Sequence, residues 1–358
     1  MRGTANRQAL MLTAVTPDAL VPAGHPIRRI KPLAEAALAQ LSPLFDRMYA
    51  DIGRPSIPPE HLLKGCLLIA LFSVRGERQF CERLQYDLLF KWFLDMNVLD
   101  PAFDHSVFSK NKERLLEHAV ARRFLTAVVE DARQRDLLSD EHFTVDGTLL
   151  EAWASMKSIR PKDEGDGAGG SDDRDPWVDF HGEHRTNHTH ASTTDPEALL
   201  ARKGAGREAK LCLAGHVLMD NRHGLPVDVE ITQATGTAER DTALGMLQKV
   251  PGSKHLTVGA DKGYDTKDFV WDCRDMGITP RVARKQHSAI DGRNTRHPGY
   301  AIRQRIRKRV EEVFGWMKTV GGGRKLRYRG IRRNQLWAEV TVAGYTLLRM
   351  AKLIPASI

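Results

Sequence analysis

Three acids stand where metal-assisted phosphoryl chemistry would need them. Asp146 lies inside a β-branched, apolar run, FTVDGT, and the glycine after it leaves the backbone open to close approach. Asp261 ends a second such run, LTVGADKGY, again just ahead of a glycine. Glu311 sits on a basic helical stretch whose apolar stripe is Ile306, Val310, Val313 and Met317. At about 100° per residue Glu311 flanks that stripe, whereas Glu312 points away from it. Hard carboxylate oxygens converging in a cleft bind Mg²⁺ and leave coordination positions for water and phosphate. Two such ions activate an attacking oxygen and stabilise a leaving one. Each acid alone has a plainer reading, because strand-end aspartates cap turns and glutamates on basic helices form exposed ion pairs. The set points to a site.

Cations surround it in sequence. Arg307, Glu311 and Lys318 share one helical face at offsets 0, 4 and 11. Lys262 follows Asp261 directly. Between Arg281 and Arg333 there are 17 Lys and Arg against three acids, while the whole chain carries a net charge of +9. One segment therefore holds more than the entire excess. Such a stripe is the footprint of a polyanion, because neutralising phosphates releases counterions. A solvated basic helix or a membrane-surface patch would have the same composition. Arg324, Lys325, Arg327 and Arg329 follow the glycines 321–323 and suit backbone contacts to double-stranded DNA.

Other candidates are weaker. His181, His184, His188 and His190 have metal-like spacing, yet no cysteine is near and they follow a Gly- and Asp-rich loop. Trp92, Trp271, Trp316 and Trp337 read as packing residues. The triple glycine lacks the Lys-Ser/Thr of a phosphate-binding loop. Four dispersed cysteines argue against a disulfide framework and for a reducing compartment. No run of 18 apolar residues exists, and the N-terminus has no sustained apolar segment, so a cytoplasmic, nucleoid-associated protein is expected.

The elements that must position these residues follow from periodicity. Residues 26–137 repeat apolar positions at helical spacing, with Pro58-Pro59 opening one helix and Asp104 another. From Phe143 onward the order is β, β, β, α, β, α, β, α. A turn lies at Asn221–Gly224, one unbroken helix covers 303–318, and a last helix covers Val340–Leu353. That order suits a mixed five-stranded sheet with helices on both faces. If the first and fourth strands are parallel neighbours, Asp146 and Asp261 face one crevice. Residues 1–138 are expected to form a helical DNA-binding and dimerisation domain. Residues 139–358 would form an α/β domain with a flexible insertion at about 158–190, because the stretch 161–176 holds six acids, four glycines and two prolines.

These motifs resemble those of bacterial insertion-sequence DDE transposases, specifically the insertion-sequence-five family. RPSIPPEHLLKGCLLIALFSVRGERQF and DHSVFSKNKERL resemble that family's helical N-terminal domain. FTVDGT and GADKGYDT resemble the regions of its two catalytic aspartates. Arg307-x3-Glu311-x6-Lys318 fits its Tyr-x2-Arg-x3-Glu-x6-Lys signature, with Gln304 at the Tyr position. The resemblance implies a ribonuclease-H-like catalytic domain with Asp146, Asp261 and Glu311 as a divalent-metal triad, Mg²⁺ being the expected ion and Mn²⁺ a substitute. It also implies binding of terminal inverted repeats, Arg307 and Lys318 near the scissile phosphate, transfer of 3′-OH ends into target DNA, and a homodimer or higher oligomer. A catalytically silent DNA-binding relic and a nuclease that cannot join DNA are the rival readings.

Overall fold

The computed structural model describes residues 16–49, 56–162, 186–204, 206–251 and 256–355. The N-terminal region is helical, as the periodicity predicts: α1 (Pro17–Leu20), α2 (Ile27–Gln40), α3 (Ser42–Met48), α4 (Pro59–Leu71), α5 (Glu77–Leu84), α6 (Leu88–Phe93), α7 (His105–Glu117) and α8 (Val120–Gln134). Pro59 begins α4 where its missing N–H leaves no bond unmade. Asp104 caps α7, its Oδ1 accepting from the Ser106 N–H at 2.8 Å and the Val107 N–H at 3.2 Å.

The chain then turns into strands at a junction held by a fully buried carboxylate. Asp220 Oδ2 accepts from the N–H groups of Ser139 and Asp140, and its Oδ1 accepts from Arg222 N–H. Eight strands follow: β1 (His142–Glu151), β2 (Ile159–Pro161), β3 (His190–Ser192), β4 (Leu199–Ala201), β5 (Lys210–Asp220), β6 (Leu225–Gln233), β7 (Thr257–Ala260) and β8 (Thr279–Val282). β5 pairs antiparallel with β1, Phe143 opposite Asp220, and antiparallel with β6 through a turn that ends at Gly224 with φ +69°. β1 pairs parallel with β7, and β7 with β8. The order β6-β5-β1-β7-β8 is the ribonuclease-H-like arrangement of three antiparallel strands followed by two parallel ones.

Among the described residues the main sheet has six strands, not the five expected. The sixth is the short β4, paired with β5 at Leu199–Cys212. Three residues are too few to show an alternation. Part of the expected flexible insertion is also paired, because β2 and β3 form a separate two-stranded sheet. The acidic, glycine-rich stretch from 163, with His181 and His184, lies outside the described residues.

Strand alternation sorts the side chains onto two faces. Phe143, Val145 and Leu218 pack with Ala243, Met246 and Leu247 of α9 (Ala238–Gln248) and with Phe269 and Cys273 of α10 (Lys267–Asp275). Leu150, Leu213, Val217, Val229 and Ile231 face the other way, into a second core. That core also holds Val310, Val313 and Met317 of α13 (Val310–Thr319), most of α14 (Ile331–Leu353), and the apolar faces of α2, α4 and α8. α14 is buried almost all round, which explains its apolar run Val340–Leu353. The N-terminal helices and the sheet therefore share one continuous apolar core.

The basic helix expected over 303–318 is divided. After α11 (Gly292–Arg296), α12 (Pro298–Ile306) passes into a 3₁₀ turn at Arg307–Arg309 before α13 begins. Each 3₁₀ residue advances about 120° instead of 100°. The phase of Glu311 relative to Arg307 thus shifts by about 60° from that of an unbroken α-helix. Among the described residues no helix is long and apolar enough to cross a membrane.

Candidate active site

β1 outlasts its parallel neighbour. β7 ends at Ala260, one residue past the Thr144–Gly259 register, so the edge of β1 is open from Asp146 onward. Asp261 stands at that same level, where it caps the 3₁₀ turn Lys262–Tyr264 by accepting the Gly263 N–H on Oδ1 at 2.7 Å. Asp146 Oδ1 accepts the Gly147 N–H at 2.9 Å. Local backbone donors thus orient both carboxylates.

Each carboxylate feels the other's charge. The Asp146 carboxyl is raised to about 7, chiefly by burial; the Gly147 N–H and Arg307 oppose the rise, and the charges of Asp261 and Glu239 contribute to it. Burial and then Asp261 also raise Glu239, at the start of α9, with Arg240 opposing. The Tyr264 hydroxyl is fully buried, has no hydrogen-bond partner among the described residues, and feels the charges of Glu239, Asp146 and Asp261. Neither Glu239 nor this hydroxyl was foreseeable from spacing, because first-turn acids are common at helix N-termini for dipole reasons alone.

The predicted cations divide into two groups. Arg307 acts on Asp146 and is oriented by Gln304, whose Oε1 accepts from Arg307 Nε at 3.1 Å. Gln304 in turn donates to the Arg281 carbonyl at 2.7 Å, tying α12 to the end of β8. Gln304 thus positions the arginine from the place where the expected signature has a tyrosine. Lys318 Nζ donates to Thr148 Oγ1 at 2.6 Å, two residues from Asp146 on the same strand face. Burial lowers the Lys318 ammonium, and the charge of Lys203 lowers it further. Lys203, Arg207, Lys210, Lys318 and Arg324 line a groove of about 820 Å³ along β4 and β5, with Glu151 and Glu208. Glu151 already engages Lys210 at 3.3 Å and Lys325 at 3.9 Å.

The rest of the basic arm is placed differently from a free DNA-facing strip. Arg327 Nη1 donates to the Val74 carbonyl at 2.7 Å, which docks the arm onto the helical region. Arg329 lies over the exposed Trp153 ring, 4.7 Å from its centroid. Lys262 is exposed on its turn. Trp271, read from sequence as a packing residue, is 66% exposed, whereas Trp92 is buried. His190 is buried with Nδ1 2.8 Å from Thr189 Oγ1.

Glu311 and Glu312 are both exposed, in the first turn of α13. Among the described residues no three His, Cys, Asp or Glu side chains converge closely enough to ligate one ion as they stand. The structure therefore brings Asp146 and Asp261 together, with Arg307 and Lys318 along the same strand face, and leaves Glu311 on the adjoining helix.

Residues 15–114 match the family model described as a transposase domain (DUF772), and residues 184–347 match that of the transposase DDE domain. The chain thus carries a transposase DDE domain behind a second transposase domain. The second match includes Asp261 and Glu311; Asp146 lies between the two matched spans. Among curated proteins none matches the sequence. Among solved structures the transposase is similar to a piggyBac transposase synaptic complex with hairpin DNA, at 7% identity over 91% of this chain and 75% of that one, with a TM-score of 0.41. It is also similar to the Mos1 strand transfer complex, at 10% identity over 84% of this chain and 80% of that one, with a TM-score of 0.19.

Proposed function

We propose that this transposase cuts double-stranded DNA at the terminal inverted repeats of an insertion sequence and joins the freed ends to target DNA. The juxtaposition of Asp146 and Asp261 at the open end of β7, with Arg307 and Lys318 on the same side of β1, carries this reading. The spacing Arg307-x3-Glu311-x6-Lys318 supports assignment to the insertion-sequence-five family, with Glu311 as the glutamate of the acidic triad and an assembly of two or more subunits holding two ends.

The donor set fits a divalent cation. The site has hard oxygen donors, carboxylates whose mutual repulsion Arg307 and the Gly147 N–H offset only in part, and a buried hydroxyl in their field with no partner among the described residues. Mg²⁺ bound there would polarise the phosphate and lower the pKa of an attacking hydroxyl or water. Arg307 and Lys318 hold the phosphodiester beside the carboxylates and offset its charge. In cleavage, a water oxygen bonds to phosphorus and the 3′ oxygen leaves as a hydroxyl. In joining, that 3′ oxygen attacks a target phosphate and expels the target's own 3′ oxygen.

Labelled DNA carrying the element's flanking repeats tests the reading, incubated with Mg²⁺ or with EDTA. Cuts at the repeat ends that need the metal, followed by joined products on target DNA, are expected. Binding without cutting in either Mg²⁺ or Mn²⁺ would make the chain a silent DNA-binding protein. Cuts without joined products would make it a nuclease.

The groove lined by Lys203, Arg207 and Arg324 gives the DNA backbone a path to Lys318, whose charge Lys203 opposes at close range. Arg207→Ala and Arg324→Ala are each expected to weaken DNA binding on any sequence and to flatten the log–log salt dependence by about one unit per lost phosphate contact. An unchanged slope in filter-binding titrations would remove that residue from the DNA path. Arg327→Ala is expected to leave the slope unchanged, because its guanidinium is docked on Val74.

A further inference from the structure

Glu239 opens α9, and its side chain lies against Gly147 of β1. A methyl group at Gly147 would meet Glu239 Cγ at 2.8 Å and Oε1 at 2.9 Å. Gly147 shares its sheet face with Val145 and Phe143, on the α9 side, whereas Asp146 faces the α13 side. Elsewhere a sheet would keep these two faces apart. Here β7 has ended, the edge of β1 is open, and a side chain from the α9 face meets the carboxylates at that edge. The absence of a Cβ at residue 147 is what admits it.

Tyr264 points to the same place independently. Its ring is fully buried against Phe269, 5.2 Å between centroids, so the hydroxyl is fixed rather than free to find solvent. That hydroxyl has no partner among the described residues and lies within the field of Glu239, Asp146 and Asp261. A buried donor left unmade is costly, so it marks a place where a bound group completes the hydrogen bonding.

We propose that Glu239 is a third carboxylate of the cation site built on Asp146 and Asp261, reaching it from the sheet face opposite the helix that bears Glu311. The proposal rests on the reading of those two aspartates as cation ligands. Two aspartates fill only part of a divalent ion's oxygen shell, and a third carboxylate would take the place of a bound water. Glu239 keeps an exposed side although its carboxyl is partly desolvated against β1, and its side chain has one more rotatable bond than an aspartate, so it can turn toward the two aspartates.

Mn²⁺ binding to the full-length protein without DNA, followed by the electron paramagnetic resonance of the free ion, tests this separately from activity. Asp146→Asn is expected to weaken binding strongly, and Glu239→Gln by about 10–100-fold. Gly147→Ala is expected to weaken it in the same direction, since the added methyl displaces the flexible end of Glu239. Circular dichroism and thermal melts confirm that each variant is folded. Glu312→Gln is expected to bind Mn²⁺ as the wild type does. Should Asp146→Asn weaken binding while Glu239→Gln and Gly147→Ala do not, Glu239 is no part of the site. Should Asp146→Asn also leave binding unchanged, the reading of the aspartates fails and takes the proposal with it.

Discussion

Asp146→Asn and Asp261→Asn are each expected to lower Mg²⁺-dependent cleavage by about a thousandfold or more while leaving DNA affinity within about twofold. The magnitude follows from the several kcal/mol of transition-state stabilisation that a bound cation supplies, at about 1.4 kcal/mol per factor of ten. Asparagine keeps the shape of aspartate and removes the charge, so the ligand is lost without a cavity. The fold is expected to hold or gain stability at residue 146. There the charge is opposed by burial and by two neighbouring carboxylates, with only Arg307 and one N–H in its favour. A melting temperature equal to or above wild type, combined with lost cleavage, separates chemistry from unfolding. Glu311→Gln is expected to behave like the aspartate variants, and Glu312→Gln to stay near wild type. Equal loss in Glu312→Gln would assign the wrong glutamate on α13. Full cleavage by Glu311→Gln, together with loss in Glu239→Gln, would move the third carboxylate from α13 to α9.

The pairing of Asp146 and Asp261 was legible because each aspartate carries two signals at once, an apolar β-branched run and a glycine close behind it. The order of those runs also allows the first and fourth strands to be parallel neighbours, and the Thr144–Gly259 register shows that they are. Glu239 carried no such signal. It sits in the first turn of a helix, where an acid has a sufficient local reason to be, and only the tertiary approach of α9 to Gly147 distinguishes it. The 3₁₀ turn at Arg307–Arg309 was hidden for a related reason, since hydrophobic periodicity samples one residue in three or four and cannot register a local tightening. Counting charges overstated the basic arm. Arg324 lines the groove, but Arg327 and Arg329 have the same composition signal and opposite uses, one docked on a carbonyl and one stacked on Trp153. Charge density therefore marked a basic region of the chain without distinguishing the members that line the groove from those engaged within the protein.

The junction between the helical region and the sheet gives the largest stability prediction. Arg122 of α8 reaches three carboxylates at once: Asp228 and Glu230 of β6, the latter at 3.0 Å, and Glu339 of α14 at 2.8 Å. Its Nη2 also donates to the Val229 carbonyl at 2.9 Å. The side chains of Asp228 and Glu339 are only 11% and 6% exposed. Burial raises both carboxyls, and Arg122 is the main group that pulls them back down. Removing one partner of such a buried cluster leaves charge without compensation and costs about 3–5 kcal/mol. Arg122→Ala is expected to fall at the lower end, because Lys249 still contacts Asp228 at 3.3 Å and Glu230 at 2.6 Å. Among the described residues Glu339 has no second cation, only Gln335 Nε2 at 2.9 Å. Adding Glu339→Gln to Arg122→Ala is therefore expected to recover part of the loss, since an amide strands no charge in the core. Urea unfolding measures both. A loss below about 1 kcal/mol for Arg122→Ala would mean that solvent screens the cluster as it does a surface pair. A full loss with no recovery in the double variant would put the cost on β6 instead of α14. Either result bears on function, because α8, β6 and α14 form the shared core that fixes the helical region to the sheet carrying Asp146.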